Sequence, residues 1–259
     1  MAGFLFHEVI FGPVRSRRLG LSLGINLLPL HTKYCSFNCI YCECGWTPKN
    51  TPGVPAFPSR EEVSRFLAMR LQQLAGEQYL PDALTYAGNG EPTLHPDFAG
   101  IVDDTILLRD QYAPGARVTV LSNASRIAVP AVFNALKKLD NNIQKLDAGD
   151  EKMFRLVNNP VDPMPFDAIV DGLCRFDGDV IIQSMFLRGV LKGEAVDNTT
   201  VSEVDAWLQQ LVKIRPKLVM IYPVARETPV HGIEKIPPAE LNTIAGRVRG
   251  AGLNVTVYE

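Results

Sequence analysis

Four of the five cysteines of this 259-residue chain lie within one short segment. Cys35, Cys39 and Cys42 follow the pattern Cys-x3-Cys-x2-Cys, and Cys44 comes two residues later. Thiolates are soft ligands that favour zinc or iron–sulfur clusters, so several of them on one loop can converge on a single metal centre. Cys174 lies alone in a stretch with helical periodicity, and we interpret it as a small buried apolar residue.

Two kinds of metal centre are compatible with these spacings. A structural zinc site needs four ligands, commonly as two separated pairs, and Cys44 would have to serve as the fourth ligand here. An iron–sulfur cube held by three thiolates would instead leave one iron without a protein ligand, where a small molecule can coordinate and react. Chance clustering of buried thiols is a third interpretation that the spacing leaves open.

The elements that must position this loop alternate along the chain between strands and helices. Strands separated by helices predict a parallel sheet with right-handed crossovers. About six such units predict an α/β fold, a partial (β/α)6 barrel resembling a TIM barrel, with functional residues at the carboxyl ends of the strands. The predicted strands are residues 84–88, 117–123, 143–148, 180–187 and 218–224, with an edge strand at 254–258.

Helix boundaries are marked by local signals. Ser59 with Glu62, and Thr200 with Glu203, match the capping box, in which two residues at a helix start satisfy each other's backbone N–H groups. A late helix is expected to begin at a pair of prolines and to end near Gly250. Apolar residues at helical spacing follow each start, so these helices should pack one face on the sheet.

We predict one domain with two flanking parts. Residues 1–30 are expected to form an N-terminal extension packed on the barrel, in which Gly20, Gly24 and alternating apolar residues indicate a pair of strands covering one edge. The barrel is expected to span residues 31–232. Residues 233–259 should add a C-terminal helix and strand to the same domain.

Composition limits the classes of function. With 26 Lys and Arg against 28 Asp and Glu the net charge is −2, so tight non-specific binding of nucleic acid is not expected. No apolar run approaches the roughly 20 residues that cross a bilayer, and the first residues do not resemble a secretory signal, so no membrane association is expected. An odd number of cysteines without secretory context indicates reduced thiols or a metal in the cytoplasm.

The cysteine run, with Tyr41 before the third cysteine, resembles the signature of the radical S-adenosylmethionine (radical SAM) enzymes. Further matches follow at the ends of the second to sixth strands: residues 88–92 (Gly-Asn-Gly-Glu-Pro), 122–123, 146–148, 183–185 and 221–223. The resemblance covers roughly residues 20–232. Within this superfamily, the chain is most similar to small iron–sulfur oxidoreductases distantly similar to the wyosine-forming tRNA enzymes and the molybdenum-cofactor GTP cyclase.

The resemblance implies a [4Fe–4S] cluster on Cys35, Cys39 and Cys42, with Cys44 as a bystander, and S-adenosylmethionine on the open iron. Reductive cleavage of this cofactor would give a 5′-deoxyadenosyl radical that abstracts hydrogen from a substrate. A reductant such as flavodoxin or ferredoxin would supply the electron. The residues implied in binding S-adenosylmethionine are Tyr41, Gly88, Asn89, Gly90, Glu91, Ser122, Asn123 and Gln183.

Several of these residues also have a purely structural interpretation. The Gly-Asn-Gly run at 88–90 is a common strand-to-loop turn, and Glu91 can cap the loop that follows. Ser122 and Asn123 are typical helix N-caps. Gln183 can be a hydrogen-bonded polar residue in the barrel interior.

Three residues are candidates for contact with the substrate. Lys145 and Asp147 lie two apart on one strand and so share a face, where a buried ion pair would be costly and therefore notable. Arg226 follows the sixth strand and can bind a carboxylate or phosphate with its planar guanidinium. We therefore expect a small polar substrate that is anionic.

Two other functions compete with this hypothesis. RNA modification needs a basic surface, and Arg15, Arg17 and Arg18 form the only dense basic patch, which is more typical of a solvated turn, so tRNA is disfavoured. A non-catalytic iron–sulfur or zinc protein is the second alternative, and full ligation by Cys44 would favour it.

Overall fold

Ten strands and seven helices make up the part of the chain that the computed structural model describes, residues 3–48 and 56–259. The strands are β1 (Ile10–Ser16), β2 (Gly20–Ile25), β3 (Ala83–Tyr86), β4 (Arg117–Ser122), β5 (Asn141–Lys145), β6 (Ile181–Leu191), β7 (Glu194–Asp197), β8 (Leu218–Pro223), β9 (Glu234–Lys235) and β10 (Val255–Val257). The helices are α1 (Arg60–Gly76), α2 (Phe98–Tyr112), α3 (Pro130–Leu136), α4 (Glu151–Asn158), α5 (Phe166–Cys174), α6 (Val201–Ile214) and α7 (Pro238–Gly250). A short 3-10 helix, Pro92–Leu94, follows β3. None of the helices in this described part combines the length and the apolar character that crossing a bilayer requires.

The strands follow one another across a single sheet in nearly the order of the chain. The order is β1-β2-β3-β4-β5-β6-β8-β10, and β7 and β9 pair with β6 beside this path. Neighbours from β2 to β10 are parallel, and β1 is antiparallel to β2. Because β1 and β10 end the order without pairing to each other, the barrel is open. The predicted α/β partial barrel is confirmed.

The N-terminal strand pair differs from the prediction in one respect. β1 and β2 form the expected antiparallel pair, with Ile10 opposite Ile25. However, β2 also pairs in parallel with β3, and its Leu23 and Ile25 are fully buried. β2 is therefore the first strand of the parallel sheet. Only β1 and the residues before it flank the parallel series, whereas the prediction grouped all of residues 1–30 as an extension.

The inner face of the sheet changes from apolar to polar toward the carboxyl ends of its strands. Ile143, Ile181 and Met220 come from three adjacent strands and form a small buried cluster on this face. Lys145 and Gln183 lie two residues further along β5 and β6, so they extend from the same face. The apolar cluster thus closes the barrel below a polar upper layer.

The predicted helix starts at Ser59 and Thr200 are observed. Glu62 N donates to Ser59 Oγ at 3.2 Å and Ser59 N donates to Glu62 Oε2 at 2.8 Å, which completes the capping box. Glu203 N donates to Thr200 Oγ1 at 3.3 Å. The start of α1 is therefore held by its own side chains.

Replacing Ser59 with alanine should lower the free energy of unfolding by about 0.5–2 kcal/mol, because α1 loses its capping box. Chemical denaturation would measure this change. Ser202→Ala is a matched control: Ser202 lies in the first turn of α6 and its hydroxyl contacts Thr200 Oγ1, but the N-cap Thr200 still accepts from Glu203 N without it. An unchanged unfolding free energy for Ser59→Ala, or an equal loss in both variants, would contradict the capping role.

Candidate functional site

The cysteines lie on the long loop between β2 and α1, which crosses the carboxyl ends of the parallel strands. Tyr34 N donates to Asn89 O at 2.8 Å, and Glu91 N donates to Tyr34 O at 3.1 Å. Elsewhere on the loop, Asn38 N donates to Asn159 O at 2.9 Å. The turn after β3 and the end of α4 therefore hold the cysteine loop in place.

Gly90 permits the closest of these contacts. Its φ is +143°, a backbone conformation that side chains disfavour, and a Cβ atom there would lie 1.9 Å from Tyr34 O. Gly88 has a φ of +146°, and a Cβ atom there would lie 2.4 Å from Asn26 Oδ1. The resemblance assigns the two glycines to the cofactor. In the structure, the absence of a side chain at each glycine leaves room for a neighbouring part of the protein. At Gly90 that neighbour is the cysteine loop itself.

Gly90→Ala should lower both the stability of the protein and its iron content, because the added methyl group must displace Tyr34 O and the loop that carries Cys35. Thermal denaturation and iron analysis after anaerobic reconstitution would measure the two effects. Gly246→Ala in α7 is the control, since nothing beyond the local backbone of that helix lies within 4 Å of the added methyl group. Normal stability and normal iron content in Gly90→Ala would contradict the role of Gly90 in placing the cysteine loop.

Two asparagine amides are directed toward cysteine sulfurs. Asn123 Nδ2 lies 3.5 Å from Cys35 Sγ, and Asn158 Nδ2 lies 3.5 Å from Cys39 Sγ. Burial raises the pKa of Cys35 to about 12 and also raises the pKa of Cys39. Burial thus opposes the charged form of both thiols. The amide N–H groups favour the thiolate form that a metal ligand requires.

Cys42 and Cys44 form a pair of unequal thiols. A hydrogen bond from Cys44 lowers the pKa of Cys42 to about 6, and the same bond raises the pKa of Cys44. Cys44 Sγ also lies 3.6 Å from Gly88 O. The hydrogen bond to Gly88 O favours Cys44 as a protonated thiol beside Cys42 over its role as a fourth zinc ligand, which would have to be a thiolate.

Lys33 is a buried cation beside the three cysteines of the motif. It is 3% exposed, and its Nζ donates to Gly45 O at 2.8 Å. Burial alone would lower the pKa of this lysine, but the charges of Cys42, Cys35 and Cys39 raise it above its ordinary value. Lys33 therefore keeps its charge and offsets the negative charge of thiolates on this loop.

A cavity of about 310 Å³ opens between the cysteine loop and the carboxyl ends of the strands. This is the end of the sheet at which open α/β barrels carry function. Cys35 and Cys39 line it, together with most of the predicted site residues: Tyr41, Gly90, Glu91, Ser122, Asn123, Lys145, Gln183 and Arg226. The predicted residues outside its lining are Cys42, Gly88, Asn89 and Asp147.

Asn89 does not face the cavity as the resemblance implies. Its Nδ2 donates to Phe6 O and to Pro29 O, each at 2.9 Å, and its Oδ1 accepts from Phe6 N at 2.8 Å. The side chain is fully buried among these partners. Asn89 therefore holds the N-terminal segment against the turn after β3.

Glu91 lines the cavity, but its carboxylate accepts hydrogen bonds from neighbouring residues of the protein. Oε1 accepts from Thr93 N at 3.1 Å, and Oε2 accepts from Asn123 N at 2.6 Å. Burial raises the pKa of Glu91. The carboxylate thus caps the 3-10 helix and fixes the end of β4. Ser122 also has a local role, since its Oγ accepts from Ala124 N at 3.2 Å.

Asp147 connects the substrate side of the cavity to the cysteine loop. Tyr41 OH donates to its carboxylate, Asn158 Nδ2 donates to Oδ2 at 2.7 Å, and Met185 N donates to Oδ1 at 2.8 Å. Lys145 Nζ lies 3.6 Å from Oδ2, so the expected pair on one strand face is formed. However, only Lys145 lines the cavity. Asp147 lies behind it and positions its neighbours.

Lys145 keeps its charge inside the barrel. Burial lowers its pKa, but Asp147 opposes this effect and the net result is a raised pKa. Lys145 Nζ also donates to Tyr222 OH at 3.3 Å and lies 5.0 Å from the centre of the Tyr41 ring. A fixed cation therefore stands at the wall of the cavity.

The arginines are placed differently from the expectation. Arg226 lies at the rim with its side chain 68% exposed, and it donates to the carboxylate of Glu43 on the cysteine loop. Water screens an ion pair at this exposure, so Arg226 mainly ties two loops together. In contrast, Arg18, which the sequence places in a solvated turn with Arg17, is only partly exposed and lines the cavity, whereas Arg17 lines it but stays exposed.

Side chains distant in sequence complete the support of the site. Asn198 Nδ2 donates to Asp147 O at 2.9 Å, and Trp207 Nε1 donates to Leu146 O at 3.0 Å. The positioning residues that sequence reasoning missed are Lys33, Asn158, Asn198 and Trp207. Lys33 carried a usable signal, since it is a charged residue two positions before the first cysteine of the motif. The others have no local pattern that sets them apart.

The family model of the Radical SAM superfamily matches residues 30–190. The chain belongs to this superfamily. It is 35% identical over 186 residues to the UPF0026 protein MJ1312 of Methanocaldococcus jannaschii, an alignment that covers 70% of this chain and 55% of that protein. The chain thus spans about half the length of the curated relatives it matches.

Solved structures of the superfamily share the fold. A radical SAM methyltransferase from Sphaerobacter thermophilus superposes with a TM-score of 0.68 at 14% identity, covering 92% of this chain and 65% of that one. Archaeal TYW1 superposes with a TM-score of 0.54 at 12% identity, covering 89% of this chain and 72% of that one. At these identities the likeness concerns the fold alone.

Membership of the superfamily assigns the chain to enzymes whose cofactors are a [4Fe–4S] cluster and S-adenosylmethionine, and the chemistry that these enzymes share is reductive cleavage of the latter. The donor set fits a cluster. Two of the three motif thiols open into one cavity, and a buried lysine and two amides stand beside the thiols to favour the thiolate form.

Replacing any one of Cys35, Cys39 and Cys42 with alanine should abolish retention of iron, because a three-thiolate set has no spare soft ligand. Cys44→Ala and Cys174→Ala should retain it, since the Cys44 thiol donates to Gly88 O and Cys174 lies in α5. Iron and sulfide analysis after anaerobic reconstitution checks all five variants. A loss in Cys44→Ala as complete as in Cys42→Ala would establish a four-ligand site.

Proposed function

We propose that this chain abstracts a hydrogen atom from a small, polar, anionic substrate held in the cavity at the strand ends. When bound, the cluster and S-adenosylmethionine would supply a 5′-deoxyadenosyl radical as the hydrogen acceptor. The observation that carries the proposal is the shared cavity, into which Cys35 and Cys39 open together with the polar side chains of Lys145 and Gln183.

The motif cysteines are proposed as the cluster ligands. Cys42 already favours the thiolate, and the amides of Asn123 and Asn158 direct N–H groups to the sulfurs of Cys35 and Cys39. Such contacts lower the cost of holding negative charge in a buried loop. Cys44 would remain a thiol.

The proposed contacts to S-adenosylmethionine are those of the implied residues that line the cavity. Gly90 leaves the backbone accessible at the cavity wall, and Gln183 is a neutral polar group only 6% exposed. Neutral donors and acceptors suit the ribose and the polar groups of the methionine. These contacts are Tyr41, Gly90, Ser122, Asn123 and Gln183, while Gly88, Asn89 and Glu91 are proposed to support the wall through the contacts described above.

The charge of the cavity supports an anionic substrate. Its lining includes the cations Arg17, Arg18, Lys145 and Arg226 against the carboxylates Glu43 and Glu91. Four cations against two carboxylates leave the lining positive, and burial raises the pKa of Glu91, which disfavours its charged form. Leu121, Met185 and Val224 contribute apolar walls that would exclude water from a reactive intermediate.

RNA modification is the alternative that we favour less. It needs a broad basic surface, and of the three arginines of the predicted patch Arg15 and Arg17 are exposed while Arg18 is only partly exposed and lines the cavity. We also propose a cytoplasmic location, where reduced thiols persist, and a one-electron donor such as flavodoxin or ferredoxin. These two proposals follow from the free cysteines and from the electron that the cleavage consumes.

Anaerobic reconstitution with iron and sulfide, followed by reduction with dithionite in the presence of S-adenosylmethionine, tests the reaction class. The protein should release 5′-deoxyadenosine and methionine, and Cys42→Ala should release neither. A protein that holds a reducible cluster yet releases neither product would be an electron carrier instead. Salt-sensitive binding of tRNA, lost on replacing Arg15, Arg17 and Arg18, would instead favour RNA modification.

A further inference from the structure

Arg18 lies in the tight turn between β1 and β2, yet its guanidinium reaches into the open barrel. Ser16 Oγ holds the turn by accepting from Arg18 N at 3.3 Å and from Leu19 N at 3.2 Å. The central carbon of the guanidinium lies 4.8 Å from the centre of the Tyr222 ring at the end of β8. Arg18 therefore lines the same cavity as Cys35 and spans the open side of the barrel.

One edge of this guanidinium has an unused donor. Nη1 of Arg18 is buried and has no hydrogen-bond partner among the described residues. A charged N–H group withdrawn from water without an acceptor is unfavourable. The Tyr222 ring stabilises the flat side of the guanidinium but provides no acceptor for its edge. The arrangement therefore suits an acceptor that a bound molecule brings.

A second cation stands close to the first. Lys145 Nζ donates to the hydroxyl of the same Tyr222 at 3.3 Å, so Arg18 and Lys145 both contact one tyrosine. The carboxylate nearest to Lys145 is Asp147, which also accepts from Tyr41 and Asn158. One shared carboxylate leaves positive charge in excess at this wall.

The other charged groups of the lining are already occupied. Glu43 accepts from Arg226 at the rim, and the Glu91 carboxylate caps the 3-10 helix. Arg17 donates to the backbone carbonyl of Glu259. Among the described cations of this cavity, Arg18 is thus the arginine with a buried donor left for a ligand.

We propose that Arg18 binds the phosphate or carboxylate group of the substrate, with Lys145 as the second cation of this subsite. The planar fork of an arginine matches two oxygens of either group, whereas a lysine acts as a point charge. Arg18 thereby takes the role that the sequence assigned to Arg226. This inference rests on the proposed function, which places a small anionic substrate in this cavity.

Inorganic phosphate is the probe, because it presents the expected oxygens and needs no radical chemistry. Its affinity is measured by calorimetry on reconstituted protein that has not been reduced. Arg18→Gln should weaken phosphate binding about tenfold or more, as expected for a charged hydrogen bond. Arg15→Gln is the matched control, since Arg15 lies on the same hairpin but is exposed, and its affinity should equal that of the wild type.

Arg18→Lys provides a second test in case Arg18→Gln does not fold. This variant keeps the charge and the apolar stem but loses the fork, so its phosphate affinity should lie between those of the wild type and Arg18→Gln. Equal phosphate affinity in Arg18→Lys and the wild type would overturn the assignment. The assignment would also be overturned if Arg18→Gln bound phosphate as tightly as the wild type, or if the wild type showed no saturable phosphate binding.

S-adenosylmethionine affinity is measured on the same samples, because its methionine carboxylate is another anion that the cavity can hold. We expect Arg18→Gln to leave this affinity unchanged. A loss as large as that for phosphate would assign Arg18 to the cofactor and overturn the proposal. If the wild type binds phosphate through Arg18 but releases no 5′-deoxyadenosine, the proposed reaction is refuted. The assignment of Arg18 to an anion site would still hold in that case.

Discussion

The site depends on one close backbone contact, in which Tyr34 of the cysteine loop pairs with the turn after β3 on both sides of Gly90. Only a residue without Cβ leaves room for this approach. Further contacts follow from it along the chain. Glu91, next to the glycine, accepts from Asn123 N, and the Asn123 amide reaches the sulfur of Cys35, next to Tyr34. One turn thus aligns the cysteine loop with the end of β4.

Burial imposes a second constraint, because a loop of thiolates is costly to hold away from water unless charge or hydrogen bonds oppose it. Lys33 supplies the charge from within the loop, and Asn158 supplies a hydrogen bond to Cys39 from α4. The same asparagine binds Asp147, which pairs with Lys145 at the cavity wall. The ligand side and the metal side of the site therefore share one buried network, and a change in either side must be accommodated by the other.

Sequence patterns predicted the features of this protein that depend on near neighbours. The capping box at Ser59 and the alternation of strands and helices need only local spacing, so the fold class followed from them. The sequence patterns did not predict the directions in which the side chains point. Asn89, Glu91 and Arg226 lie where the motifs place them, at the ends of strands, but their polar groups bind Phe6, Thr93 and Glu43 of the protein itself. Such pairings join distant segments, and no single-sequence pattern encodes them.

The net charge of −2 and the positive cavity are compatible because electrostatic effects in salt solution are local. At physiological ionic strength a charge is screened over about 8 Å, so a long nucleic acid responds to the broad surface whereas a small anion responds to the groups that surround it. Low-dielectric walls strengthen the interaction further for a ligand inside the barrel. Arg18 and Lys145 contact one tyrosine within the cavity. The net charge of the whole chain does not show such a local concentration of positive charge. The same near-neutral chain can therefore be a poor partner for RNA and a selective one for a compact anion.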